Sequence, residues 1–155
     1  PIPASPPARE IGTEILHRTL LAFVWGAPTL CEVRQSIQFA DKKRSELDRS
    51  QYSFSAAIRW ADFEGAWTMV DPEVRKAKPM TELDFSRFEQ IQVTSYRDLA
   101  VMPGPDGTEL REIQIELVNR NTLSQRRVRF TEVWRYDVEA KTWWIAGLPD
   151  FWQGK

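Results

Sequence analysis

Two stretches late in the chain alternate apolar and charged residues so strictly that only paired β-strands satisfy them. Residues 108–119 carry Ile113, Ile115 and Leu117 on one side and Glu112, Gln114 and Glu116 on the other. Residues 125–136 carry Val128, Phe130, Trp134 and Tyr136 against Arg127, Arg129, Thr131 and Arg135. Side chains alternate with a period of two along a strand, so a one-residue slip turns every side chain to the wrong face. Pairing Ile115 with Val128 and Ile113 with Phe130 builds an apolar face, and the same register sets Glu116 opposite Arg127 and Gln114 opposite Arg129. Cross-strand pairs of opposite charge contribute about 0.2–1 kcal/mol each. One register therefore satisfies both faces.

Two further strands complete an antiparallel meander. Residues 90–102 alternate through Ile91, Val93, Leu99 and Val101, and the Pro103-Gly104-Pro105-Asp106-Gly107 loop ends them. Residues 141–146 form a short aromatic strand. Pairing Trp134 with Trp144 places both inward and sets Arg135 against an outward Trp143, a cation–π contact of about 0.5–1 kcal/mol.

The chain before the sheet is helical. Val33, Ile37, Ala40, Arg44 and Leu47 recur at threes and fours, and the stripe strengthens at Tyr52, Phe54, Ala57, Ile58 and Trp60 in a second stretch ending near Asp62. Asp62 is placed to cap a short helix burying Phe63, Ala66, Trp67 and Val70. Asp71-Pro72 marks a restart with proline in the first turn, and Pro79 closes the region. Thr81 with Asp84 three residues on forms a capping-box pattern for one more helix through Phe88. Trp60, Trp67, Trp134 and Trp144 are expected to fill the helix-on-sheet core, and Trp152 to close the C-terminal end.

Residues 1–31 differ in character. Four of the ten prolines fall before residue 9, which rules out a continuous helix or ladder there. His17 and Arg18 precede an apolar run from Leu20 to Ala27, too short for the ~20 residues that cross a bilayer and closer to an export signal. A lipoprotein signal needs a small residue directly before its cysteine, whereas Leu30 precedes Cys31. The expected division is a Pro-rich, signal-like or partner-docking segment over 1–31, with Leu20, Leu21, Phe23 and Trp25 as docking residues, and one domain over 32–155.

Composition removes several function classes. Twenty-one basic against 22 acidic residues give a net charge of −1, which disfavours a nucleic-acid binder. One Cys and one His form neither an internal disulfide nor a closed zinc site, so no metal is expected. His17 lies outside the domain, which sets aside histidine-based nucleophilic catalysis, and the glycines form no phosphate loop. No cofactor and no catalytic residue are assigned.

What remains is a polar break in the apolar face. Glu132 lies between Phe130 and Trp134, with Arg111 as its cross-strand neighbour in the register above. Burial raises the pKa of such a carboxyl and a neighbouring arginine lowers it, so the pair is either an anchor or base in a pocket or a salt bridge at the sheet rim. A second cluster, Arg127, Arg129 and Arg135 with Trp143 interleaved, is a candidate partner surface, although Glu116 and Glu132 beside it favour internal neutralisation.

Helices followed by a curved four-stranded antiparallel meander resemble the cone-shaped nuclear transport factor two-like α+β fold. AIRWADFEGAWTMVDPEVRK at 57–76, LVNRNT at 117–122 and EAKTWWIAGLPDFW at 139–152 are similar to uncharacterised bacterial exported or lipoprotein-type proteins of that superfamily. Its enzyme branches, isomerases, dehydratases and cyclases, use acid–base residues in the cone, a role for which only Glu132 and Tyr96 qualify here. The polar break and the inward tryptophans make Glu132, Arg111, Tyr96, Trp67, Trp134 and Trp144 the candidate pocket. The expected role is a non-enzymatic binding or assembly domain on the periplasmic side of the bacterial envelope, an accessory subunit of a membrane-associated complex. Its partners would be another protein, a membrane-protein complex or a second copy through the sheet. The alternative is a small apolar ligand bound, or turned over by acid–base chemistry, in the cone.

Overall fold

The computed structural model describes residues 28–152, and the docking residues Leu20, Leu21, Phe23 and Trp25 lie outside them. Chain contacts divide the protein into two compact units, residues 1–41 and 42–155. In the first unit the described residues open helix α1, Leu30–Arg59. Thr29 caps it: the Glu32 carboxylate accepts from the Thr29 backbone N–H at 2.8 Å, and Glu32 N–H donates to the Thr29 hydroxyl at 3.3 Å. The Thr29 N–H and hydroxyl, both donating to the Glu32 carboxylate, hold that carboxyl below its usual range.

Helix α1 is continuous where the sequence pattern suggests two stretches. The charged residues from Asp41 to Arg44 thin its apolar stripe, but no proline or glycine interrupts the backbone ladder. Within the second unit it buries Leu47, Gln51, Phe54, Ser55 and Ile58, a run at fours and threes along one face. Tyr52 falls beside that stripe and is exposed. Trp60, expected in the core, is 84% exposed. The helix ends at Arg59, where Ala61 turns left-handed at φ 60°, its N–H reaching Ile58 O and the Asp62 N–H reaching Ala57 O. Trp60, whose N–H still bonds Ala56 O, falls two residues past Ile58 and so on the opposite side of the helix from the stripe.

Three short helices follow: α2 (Phe63–Thr68), α3 (Pro72–Ala77) and α4 (Glu82–Phe88). Each starts at the cap its sequence announces. Asp62 accepts from Gly65 N–H, Asp71 accepts from Glu73 N–H with Pro72 in the first turn, and Thr81 and Asp84 form a complete capping box.

The sheet is antiparallel in the order β1-β2-β3-β4, with β1 Ile91–Pro103, β2 Glu109–Asn119, β3 Gln125–Asp137 and β4 Thr142–Ile145. The fold is α+β, helices before a four-stranded meander. Strands β2 and β3 pair Ile115 with Val128, Ile113 with Phe130, Glu116 with Arg127 and Arg111 with Glu132, the register required by the alternation. Strand β1 departs from simple alternation because register shifts lie between Val93 and Ser95 and between Asp98 and Ala100. Each extra residue inverts the phase. The first shift turns Tyr96 inward; Leu99, expected on the apolar face, falls in the second shift, and Val101, also expected there, regains that phase opposite Arg111, yet both are exposed.

Strand β4 is shifted by one residue from the expected pairing. Asp137 pairs with Thr142, and Trp134 faces Ile145 rather than Trp144. The hairpin loop sets this register: the Asp137 carboxylate accepts from Glu139 and Ala140 N–H, both at 3.0 Å, and Lys141 takes φ 52°. The two tryptophans exchange faces. Trp143 is buried against Tyr136 and donates from Nε1 to Lys43 O at 3.0 Å. Trp144, half-buried, lies opposite Arg135 on the other face, with Nε1 3.4 Å from Asp137.

The core lies between α1 and the sheet, where Phe54 meets Trp134 edge-on at 5.8 Å. A second aromatic group joins α2 and α4 to the C-terminal turn: Phe63 stacks on Phe88 at 4.6 Å, and Phe151 and Trp152 pack edge-on to Phe88. Trp152 closes this end as expected.

Candidate functional site

Strand alternation aims Glu132 and Trp134 to the same side of β3, the β2–β3 register puts Arg111 beside Glu132, and the first bulge of β1, between Val93 and Ser95, brings Tyr96 and Asp98 to that side as well. The five side chains form one network. Glu132 is fully buried and accepts from the Tyr96 hydroxyl, from Trp134 Nε1 at 2.7 Å and from Arg111 at 3.4 Å. Arg111 reaches outward with its other nitrogen to Asp98 at 2.5 Å, and the Asp98 side chain is 54% exposed. A guanidinium thus links a sealed carboxylate to one at the surface.

The electrostatics follow from burial and pairing. Burial pushes the Glu132 carboxyl above the ordinary range, against the pull of the Tyr96 and Trp134 hydrogen bonds and the Arg111 charge. Burial, with Glu132 beside it, also raises the Tyr96 phenol, which remains a donor at neutral pH. For Arg111 burial works against the charge, but the bond to Asp98 and the nearby Glu132 outweigh it and hold the guanidinium more firmly protonated.

The network opens onto a groove of about 600 Å³ between α1 and the β1–β2 pair. Helix α1 supplies Asp48, Gln51, Tyr52, Ser55 and Arg59, and the strands supply Tyr96, Arg97, Asp98 and Arg111. Glu132 does not line it. A molecule in the groove meets Arg111, Tyr96 and Asp98, while Glu132 sits behind them.

The pocket expected from sequence is therefore half assembled. Glu132, Arg111, Tyr96 and Trp134 come together. Trp67 instead lines a separate hollow of about 400 Å³ with Met80, Phe88 and Trp152, and Trp144 is on the opposite face of the sheet. The expected partner surface is also altered. Arg127 bonds Glu116 at 2.9 Å, Arg129 is 3.8 Å from Glu112 and Arg135 bonds Asp71 at 2.6 Å, while Trp143 belongs to the core.

Seven of the nine groove residues escape sequence reasoning as site residues: Asp48, Gln51, Tyr52, Ser55, Arg59, Arg97 and Asp98. Gln51 had a legible signal, as a polar residue at a stripe position between Leu47 and Phe54. Asp98 had none, since the first bulge decides where it points.

Among the described residues there is no group of three metal-ligating side chains, and no helix is long and apolar enough to cross a membrane. Compared with known protein families, with characterised proteins and with solved structures, the chain matches none of them.

Proposed function

We propose that this chain is a non-enzymatic binding domain on a nuclear transport factor two-like frame, working at the bacterial envelope as an accessory subunit of a membrane-associated complex. Helices ahead of a four-stranded meander support the frame. The short apolar run after His17 and Arg18 supports export. The observation that carries the binding reading is the closure of Glu132: it accepts three hydrogen bonds from its own chain and has no exposed surface. A general base must come within hydrogen-bond reach of the proton it takes. Glu132 is occupied in holding Arg111 and Tyr96 in the wall of the groove.

The groove itself favours a second form of the same reading, in which the bound species is a small molecule. Its volume of about 600 Å³ falls in the range of small-ligand sites. Incubating the full chain with a metabolite panel, and following the indole N–H signals of Trp60 and Trp134 by NMR, separates binding from turnover. Binding without chemical change of the ligand is the expected result. Turnover that disappears in Glu132→Gln would establish an acid–base enzyme instead.

A further inference from the structure

We infer that the groove between α1 and β1–β2 takes an oxyanion, the carboxylate or phosphate group of a small ligand; this rests on the binding reading above and names the ligand class for the same groove. Its acids are already paired: Asp48 lies 3.5 Å from Arg44, and Asp98 bonds Arg111 at 2.5 Å. Its outer cations are not. Among the described residues neither Arg59 nor Arg97 has an ion-pair partner. On the inner wall, Gln51 is 7% exposed and its Nε2 has no hydrogen-bond partner.

Gln51 Nε2 and the Arg59 and Arg97 guanidinium groups are all donors. A buried donor without an acceptor is destabilising, and water-exposed guanidinium groups can engage two oxygens of a carboxylate or phosphate at once. A ligand bringing negative charge and acceptors answers Gln51, Arg59 and Arg97 together, whereas a cationic ligand adds to the excess. The adjoining hollow of about 460 Å³ is lined by Arg59, Arg97 and the exposed ring of Trp60. A flat apolar group attached to the oxyanion has a surface to lie on there.

The test titrates the full chain with benzoate and phenyl phosphate, and with benzamide and benzylamine as neutral and cationic matches, reading the Gln51 side-chain amide and the Trp60 indole by NMR. The expected result is that one or both anions shift these signals, with affinity reduced about tenfold, some 1.4 kcal/mol, in Arg59→Gln. Gln51→Leu, which keeps the packing volume, should weaken binding as well. Arg127→Gln, removing an arginine already paired with Glu116, should leave it unchanged. Tighter binding of benzoate assigns a carboxylate, and of phenyl phosphate a phosphate. Benzamide or benzylamine binding as tightly as the anions overturns the oxyanion inference but leaves the binding reading standing. Equal loss in Arg127→Gln shows unspecific charge attraction and overturns the inference too. Silence of the groove signals with every probe overturns the oxyanion inference, while the binding reading stands or falls on the metabolite panel.

Discussion

The Tyr96 hydroxyl donates to Glu132 across the width of β2, joining two strands that do not pair with each other. Their bond, with Trp134 and Arg111 on the same carboxylate, makes a polar centre inside an otherwise apolar layer. Such centres are costly when half satisfied.

Glu132→Leu should therefore destabilise the protein by about 3–5 kcal/mol, because it leaves a phenol and an indole N–H without an acceptor and a buried guanidinium with Asp98 as its one remaining partner. Tyr96→Phe removes one donor and should cost about 1–3 kcal/mol. Urea unfolding of the two variants and their double mutant checks the coupling. The double mutant should cost clearly less than the sum, and strict additivity would count against the network.

Stability should also depend on pH through Glu132. Its folded pKa lies above the ordinary value, so the folded state keeps the proton to higher pH than the unfolded chain. The contribution is whole below about pH 4.3, where an unfolded glutamate titrates, and is lost as pH rises through the folded pKa. The unfolding free energy of the protein minus that of Glu132→Gln should accordingly fall as pH rises from about 4 and then level off. Denaturation curves across that window measure it; a difference that grows with pH would reverse the sign.

Gln51 keeps a buried nitrogen without a partner. Gln51→Leu should raise stability by about 1 kcal/mol, since the unsatisfied donor is removed and the volume retained. Thermal unfolding without ligand checks this. A marked loss of stability would mean that the amide is satisfied in solution.

Ala61 closes α1 in the left-handed region at φ 60°. A Cβ is unfavourable there by about 1 kcal/mol or more, and glycine is the common occupant of this cap position. Ala61→Gly should stabilise by about 1 kcal/mol, against the helix-interior trend in which glycine is harmful. Unfolding by urea distinguishes the two signs.

Tryptophan substitutions should separate sharply. Trp134→Ala empties a fully buried site and should cost about 3–5 kcal/mol. Trp60→Ala, at 84% exposure, should change stability by no more than about 0.5 kcal/mol. A large cost at Trp60 would restore it to the core.

Much of the architecture was legible because it depends on neighbours in sequence. Asp62, Asp71 and Thr81 cap helices through backbone groups two or three residues away, so the pattern suffices. The β2–β3 register was legible for a related reason: two alternating faces over-determine one offset, and that offset already places Arg111 against Glu132.

Tertiary structure decided the rest where one residue of backbone changes the outcome. The bulge of β1 between Val93 and Ser95 turned Tyr96 and Asp98 toward Glu132 and Arg111, and a loop closed by Asp137 exchanged Trp143 for Trp144. An extra residue in a strand inverts every side chain beyond it, while sequence periodicity changes only by a single step. The amino-acid sequence alone determined that a lone carboxylate would break the apolar face of β3. Folding decided that it would be sealed behind Tyr96 and Arg111, leaving Gln51, Arg59 and Arg97 as the unmet donors of the groove outside.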